Sequence, residues 1–498
     1  MEPVSRNGRV RAPESGAVAG RGGAPVALPG RFSLGDAIVL GLSSSGPAQT
    51  LAVSLAAMVA ACGYGGVLPV LLCFVPMLGI ALGYHRLNRW DPSAGATYTW
   101  VAKVFHPFLG FLAGWMILLY YTLGTSSLTL PAGTYTLELL APNLTGSHIA
   151  VAITGGAWNI AVTALALKGL KVAARFEWVI VVFQYVVLLG VAAAGIVMLF
   201  SPGSSAAFSW HWFTIDGVGG LRGLMSGILI ACFMYSGWDA AIYVNEESSD
   251  KVEGPGHAAI ASVVILALFY SITLFGMQAA IPPGELQVHA GDALAVIAGK
   301  LLPGPWGAVI SLVVLTGTLA TLQAAVIAAA RVGFAMSRDG VMPRAFRRVD
   351  PRTGNPWVAT VVMSCINLCL LAVALATGNL ASALGNVVSS LGLISMLFYG
   401  LTGAAAVWQN RRQLLQSPTD FLLSGLLPGF GTLFMIWVAF ESVRSGAATR
   451  TVLIYGAGSI AVGALIAIYL RCFGNTTFFR TPVAGVLDNT SVPREQLP

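Results

Sequence analysis

Charge is what this chain has least of. Of 498 residues, 27 are Lys or Arg and 20 are Asp or Glu, 9% in all, where soluble domains carry roughly 25%. So few charges cannot cover a soluble globule of this length. A soluble enzyme, a nucleic-acid binder and a disordered protein are therefore excluded. Cysteine is scarce as well: Cys62, Cys73, Cys232, Cys365, Cys369 and Cys472 lie within or at the ends of apolar runs. They show no zinc-ligand pattern and read as buried thiols. Catalytic signatures are missing too: there is no His-Glu-x-x-His, no phosphate-binding loop and no Gly-x-Ser-x-Gly elbow. The chain is expected to be no enzyme and to use neither metal nor cofactor.

What is present is apolar sequence, 56% of the chain. Runs long enough to cross a bilayer of about 30 Å recur at 36–60, 64–87, 108–135, 148–166, 174–199, 222–244, 257–281, 306–335, 356–376, 380–405, 420–441 and 451–472. They predict twelve membrane spans. Basic residues test that count. With both termini placed in the cytosol, 23 of the 27 fall on that side, and only Arg222, Lys300, Arg444 and Arg450 fall opposite. This asymmetry is the one that sets membrane orientation, so the net charge of +7 needs no nucleic-acid partner. The Gly- and Arg-rich residues 1–30 read as a disordered cytosolic tail. Glu246, Glu247, Asp250 and Glu253 crowd the cytosolic end of span 6, where a helix dipole disfavours anions. They call for a cation, and the basic loop after span 8 is the natural source.

Two spans are interrupted. In span 1, Ile38 to Leu42 runs into Ser43-Ser44-Ser45-Gly46-Pro47 before apolar sequence resumes. Glycine weakens a helix and proline removes a donor and crowds the preceding turn. The stretch reads either as unwound backbone facing a protein-lined cavity or as a proline kink packed on its neighbours. In span 6, Ser236-Gly237 is followed by Asp239, a carboxylate within apolar sequence that needs a partner or a cavity. It reads as a site residue or as a structural acid. Interrupted helices at corresponding places in two halves of a chain mark the substrate site of secondary transporters, with helix N-termini for anions and unwound carbonyls for cations.

Three stretches resemble the amino acid–polyamine–organocation superfamily: Pro92 to Trp100 running on to Gly110-Phe111-Leu112-Ala113-Gly114-Trp115, Gly237-Trp238-Asp239 with Glu246-Glu247, and Ala330-Arg331 to Pro343 with Pro356 downstream. The resemblance covers roughly residues 31–475. It implies an all-α polytopic membrane protein of leucine-transporter type. Residues 31–405 would form a ten-helix core of two inverted five-helix repeats with discontinuous helices 1 and 6. Residues 406–475 would supply peripheral helices 11 and 12, and 476–498 a cytosolic C-terminal tail. The implied function is a permease of the cell membrane, moving a small amino acid by alternating access with proton coupling. An amine or polyamine carrier, or an amino acid/amine exchanger, is the alternative.

By the same resemblance, the backbone at Ser43, Ser44, Ser45 and Gly46 would hold a carboxylate, weakened by Pro47, which has no N–H. Carbonyls near Cys232, Phe233 and Ser236 would hold an amine. Phe233 would be the gating lid, Gly46 and Gly237 the flexible breaks, and Asp239 a proton or amine partner. Tyr120, Tyr121 and Thr125 of span 3 are further cavity candidates. Some proton-coupled members carry a lysine midway along helix 5; the matching position here is Gln184, with Glu177 earlier. Thr316, Thr318 and Thr321 are candidate sodium ligands, or bond their own backbone. Coupling to proton or sodium stays open, as does oligomeric state.

Overall fold

The structure, a computed structural model, describes residues 32–201, 208–278, 293–302, 304–376, 380–445, 450–474 and 476–480. The expected tail at 1–30 and most of the one at 476–498 lie outside the described residues.

Among the described residues the protein is helical, apart from one isolated bridge between Phe32 and Ser248. Eleven helical segments are long and apolar enough to cross a membrane. The twelfth crossing is split. Gly220–Met234 and Ala240–Tyr243, which we call 6a and 6b, replace the single run expected at 222–244. Span 1 is likewise two helices, 1a (Leu34–Ser45) and 1b (Pro47–Cys62). The other spans follow as Val67–Trp90 (2), Pro107–Leu140 (3), His148–Leu167 (4), Leu170–Leu199 (5), Gly254–Gln278 (7), Trp306–Arg338 (8), Trp357–Ala376 (9), Leu380–Asn410 (10), Pro418–Arg444 (11) and Arg450–Phe473 (12). A short helix, Thr97–Val104, lies between spans 2 and 3 and was not anticipated.

Local chemistry sets the ends. Ser33 and Asp36 form a reciprocal capping box at the start of 1a, Asp36 N–H donating to Ser33 Oγ and Ser33 N–H to Asp36 Oδ2. Pro47 and Pro107 open their helices at the first position, where no backbone donor is needed.

Packing between spans repeats with an offset of five. Half-helix 1b packs on 6a and 1a on 6b; span 2 packs on 7, 3 on 8 and 4 on 9. Two similar five-helix units related by a two-fold axis would meet in this way. Between spans 4 and 9 the contact is polar: Asn159 Nδ2 donates to Ser364 Oγ at 2.8 Å, and Asn367 Nδ2 to Asn159 Oδ1 at 2.7 Å. Such hydrogen bonds hold helices where lipid supplies no hydrophobic drive. Span 12 is the least buried: 22% of its most apolar window is buried against 78% for span 8.

The acidic cluster after span 6 finds its cations. Arg331 of span 8 forks onto Glu247, Nε to Oε1 at 2.6 Å and Nη2 to Oε2 at 3.1 Å, both side chains buried. Arg338 pairs with Glu246, and Arg89 of span 2 with Glu253 at 2.9 Å. Phe32 N–H donates to Glu247 O and Ser249 N–H to Phe32 O, both at 2.9 Å. These contacts fasten the entry to span 1, the end of span 6 and span 8 together. The basic side of the bundle is sealed at this point. Removing one partner of such a buried pair costs about 3–5 kcal/mol.

Candidate functional site

At the span 1 break, Gly46 adopts a left-handed conformation (φ 55°), and its N–H closes the last turn of 1a on Leu42 O and Ser43 O. A Cβ there would collide with Thr321 of span 8, so glycine is required for both dihedral and space. Pro47 then starts 1b. The expected clash of Pro47 with the preceding turn does not arise, because the helix ends before it. Pro47 also removes no intrahelical hydrogen bond, because the first N–H groups of any helix lack intrahelical acceptors and Pro47 stands at the first position. Ser45 Oγ donates to Gly41 O at 3.1 Å, and Thr50 Oγ1 to Ser45 O at 2.8 Å. The hydroxyls of Ser43 and Ser44 are buried and have no hydrogen-bond partner.

The span 6 break packs directly on this one. Gly237 (φ 104°) leaves room where a Cβ would stand 2.7 Å from Ser44 O. Its N–H donates to the Tyr399 hydroxyl at 3.0 Å, and that hydroxyl donates to Asp239 Oδ1 at 2.7 Å. The Tyr243 hydroxyl donates to Asp239 Oδ2 at 2.8 Å, and Trp238 stacks on Tyr399 with ring centroids 5.4 Å apart. Asp239 is fully buried, tied to span 10. Ser236 donates twice backwards, Oγ to Cys232 O and N–H to Phe233 O, both at 3.0 Å.

A cavity of about 480 Å³ extends from the breaks toward the sparsely charged side, within the range for small-molecule sites. Ser44, Ser45, Gly46, Gln49 and Thr50 form one wall, Tyr120 and Tyr121 of span 3 another, and Phe233 with Ser236 a third. Thr321 and Ala325 come from span 8, and Val53, Leu128, Pro131 and Leu391 supply apolar surface. No Asp, Glu, Lys or Arg is among the described residues lining it. Fixed polarity comes from helix ends: the N-terminus of 1b for negative charge and the C-terminus of 6a for positive charge.

Comparison with known proteins decides the family. The amino acid permease family's sequence profile matches residues 32–466. The chain belongs to that family. Among its relatives, the low-affinity putrescine importer PlaP of Escherichia coli K12 is 28% identical over 422 residues, covering 82% of this chain and 85% of that protein. The branched-chain amino acid permease BcaP of Lactococcus lactis is 24% identical over 403 residues, 75% of this chain and 82% of that protein. The methylthioribose transporter of Bacillus subtilis is 27% identical over 355 residues, 65% and 73% of the respective chains. This protein is therefore a multi-pass transporter of the superfamily that the sequence resembles, not an enzyme, and its twelve crossings with discontinuous spans 1 and 6 match that fold.

The permease brings Ser44, Ser45, Gly46, Tyr121, Phe233 and Ser236 to the cavity wall. Ser43, Pro47, Cys232, Gly237 and Asp239 stand behind them in the two breaks. Cys232 Sγ lies 3.9 Å from Cys73 Sγ. Thr125 turns its hydroxyl onto Thr122 O at 2.7 Å, and Thr316 onto Leu312 O at 2.8 Å. Thr318 Oγ1 reaches Val314 O at 2.7 Å and Gln49 Oε1 at 2.8 Å. Gln184 is buried beside Gly317 of span 8 with its Oε1 unpartnered.

Gln49, Thr50 and Leu391 were not anticipated as wall residues. Gln49 and Thr50 carried a readable signal, being polar residues one turn past a break. Leu391 carried none.

Proposed function

We propose that this permease carries a small neutral amino acid across the cytoplasmic membrane by alternating access, driven by the proton gradient, with its basic side and both termini in the cytosol. The observation that carries the substrate reading is a cavity with helix ends of both polarities and no charged wall residue. A zwitterion is met by two opposite partial charges at once. The apolar wall of Val53, Leu128, Pro131 and Leu391 suits an uncharged side chain. The 23-to-4 division of basic residues supports the orientation.

An amine substrate is the second reading, favoured by the relationship to a protein named as a putrescine importer. A diamine brings two positive charges into a wall with no counter-charge, and Asp239 is already occupied by Tyr243 and Tyr399.

Uptake into proteoliposomes of paired labelled substrates tests this: leucine with isoamylamine, alanine with ethylamine, ornithine with putrescine, under a proton or a sodium gradient in turn. Leucine or alanine uptake under a proton gradient is expected. Preference for the amines overturns the substrate reading, and drive by sodium alone overturns the coupling.

A further inference from the structure

Glu177 is the eighth residue of span 5, about 10 Å inside the basic end at 1.5 Å per residue. Its side chain is fully buried and neither carboxylate oxygen receives a hydrogen bond. The polar group that faces it is the Ser43 hydroxyl, at the end of 1a, itself unpartnered. Charged groups on the surrounding elements are engaged elsewhere. On span 1, Asp36 takes Trp178 Nε1 at 3.1 Å and Lys171 at 4.0 Å. On span 5 itself, Lys171 and Arg175 have exposed side chains. On span 8, Arg331 is held by Glu247. At the start of span 7, Glu253 faces Arg89, His85 and His257, and on span 6 Asp239 takes its two tyrosines.

A carboxylate alone at this depth is costly, and such groups mark ion and proton routes. Sodium would need several oxygens around it, whereas the side-chain group identified beside the acid is the Ser43 hydroxyl. A proton needs only the carboxylate. Position completes the case: Ser44, adjacent to Ser43, lines the cavity with a second unpartnered hydroxyl, while the sealed basic side lies beyond Glu177.

We propose that Glu177 carries the coupling proton of this permease, an assignment that rests on the transport reading above. With the cavity open, a proton from outside forms an O–H bond on the Glu177 carboxylate by way of the serines at the span 1 break. Movement of 1a, whose Ser43 faces the acid, exposes the group when the Arg331–Glu247 seal parts. The O–H bond then breaks, and the proton leaves into cytosolic water. Substrate at the N-terminus of 1b and the proton at the end of 1a thus act on one hinge.

The test uses purified full-length protein in proteoliposomes. Infrared difference spectra between wild type and Glu177→Gln, at neutral pH, are expected to show a protonated-acid carbonyl band that the variant lacks. No such difference overturns the proposal. With labelled leucine, Glu177→Gln is expected to lose proton-driven accumulation to the level of empty vesicles while counterflow exchange persists. Glu177→Asp is expected to accumulate leucine with a displaced pH profile. Accumulation by Glu177→Gln equal to wild type overturns the assignment. If counterflow is lost as well, Glu177→Asp decides: accumulation supports the proposal, and none overturns it. A wild type that carries no member of the panel refutes the transport reading, and the infrared comparison still judges Glu177.

Discussion

The two breaks in the bundle touch, yet they are opposites. At the span 6 break all but one of these polar groups are spoken for: Gly237 N–H and both Asp239 oxygens reach tyrosines and Ser236 is bonded to its own helix, while Trp238 Nε1 alone is left without a partner. At the span 1 break, Ser43 and Ser44 keep their hydroxyls free, and the first amides of 1b have no intrahelical acceptor. Unsatisfied buried polar atoms are costly, about 1–3 kcal/mol each, and a fold that tolerates several in one place reserves them for something that arrives. One break is fastened to span 10 and the other waits. On the function proposed above, substrate binding would satisfy span 1 and move it against span 6.

The sharpest way to break this picture is to fill the waiting side. Gly46→Leu puts a side chain into Thr321 at a left-handed φ, which only glycine adopts without strain. Uptake is expected to fall to background, with membrane insertion retained, as measured by leucine uptake per amount of reconstituted protein. Wild-type uptake would show that the span 1 break is not where substrate sits.

Next in size is the fastened side. Tyr399→Phe removes the donor to Asp239 and the acceptor of Gly237 N–H, leaving two buried groups short of partners. At about 1–3 kcal/mol per group, the empty protein's melting temperature in detergent is expected to drop clearly. An unchanged melting temperature would mean that span 6 is as free as span 1, and the contrast disappears.

Much of this arrangement is legible in the sequence, and the reasons are physical. Apolar run length is a local property, so the crossings follow from it, and the sidedness of Arg and Lys carries the proposed orientation. Gly46-Pro47 and Ser236-Gly237 announce their breaks, because the backbone cost of glycine and proline does not depend on distant partners. The acidic cluster announces its need for cations, though Arg331 as the buried partner emerges only from the fold. Other features depend on contacts far apart in sequence. Tyr399 lies 160 residues from the Asp239 it serves. Thr321 and Leu391 reach the cavity only because spans 8 and 10 present particular faces, and an apolar helix buried on several sides leaves no periodic trace of which face is which. Glu177 was visible as an acid in an apolar span; that it lacks a partner is visible only when its neighbours are in place.

The smallest expected effect tests the waiting side most closely. Ser44 has a buried hydroxyl without a partner at the cavity wall. Ser44→Ala therefore removes a group that costs the empty protein something and gives it nothing, so its melting temperature without ligand should stay level or rise slightly. With leucine present the sign reverses. Ligand stabilises in proportion to the logarithm of its concentration over Kd. Losing one hydrogen bond to a charged carboxylate, about 1.5–3 kcal/mol, weakens binding by about tenfold or more. The leucine-induced rise in melting temperature should shrink, while the baseline does not. A drop in the baseline with the leucine-induced rise intact would make Ser44 an ordinary packing residue, and the free hydroxyls at span 1 would then have no claim on the substrate.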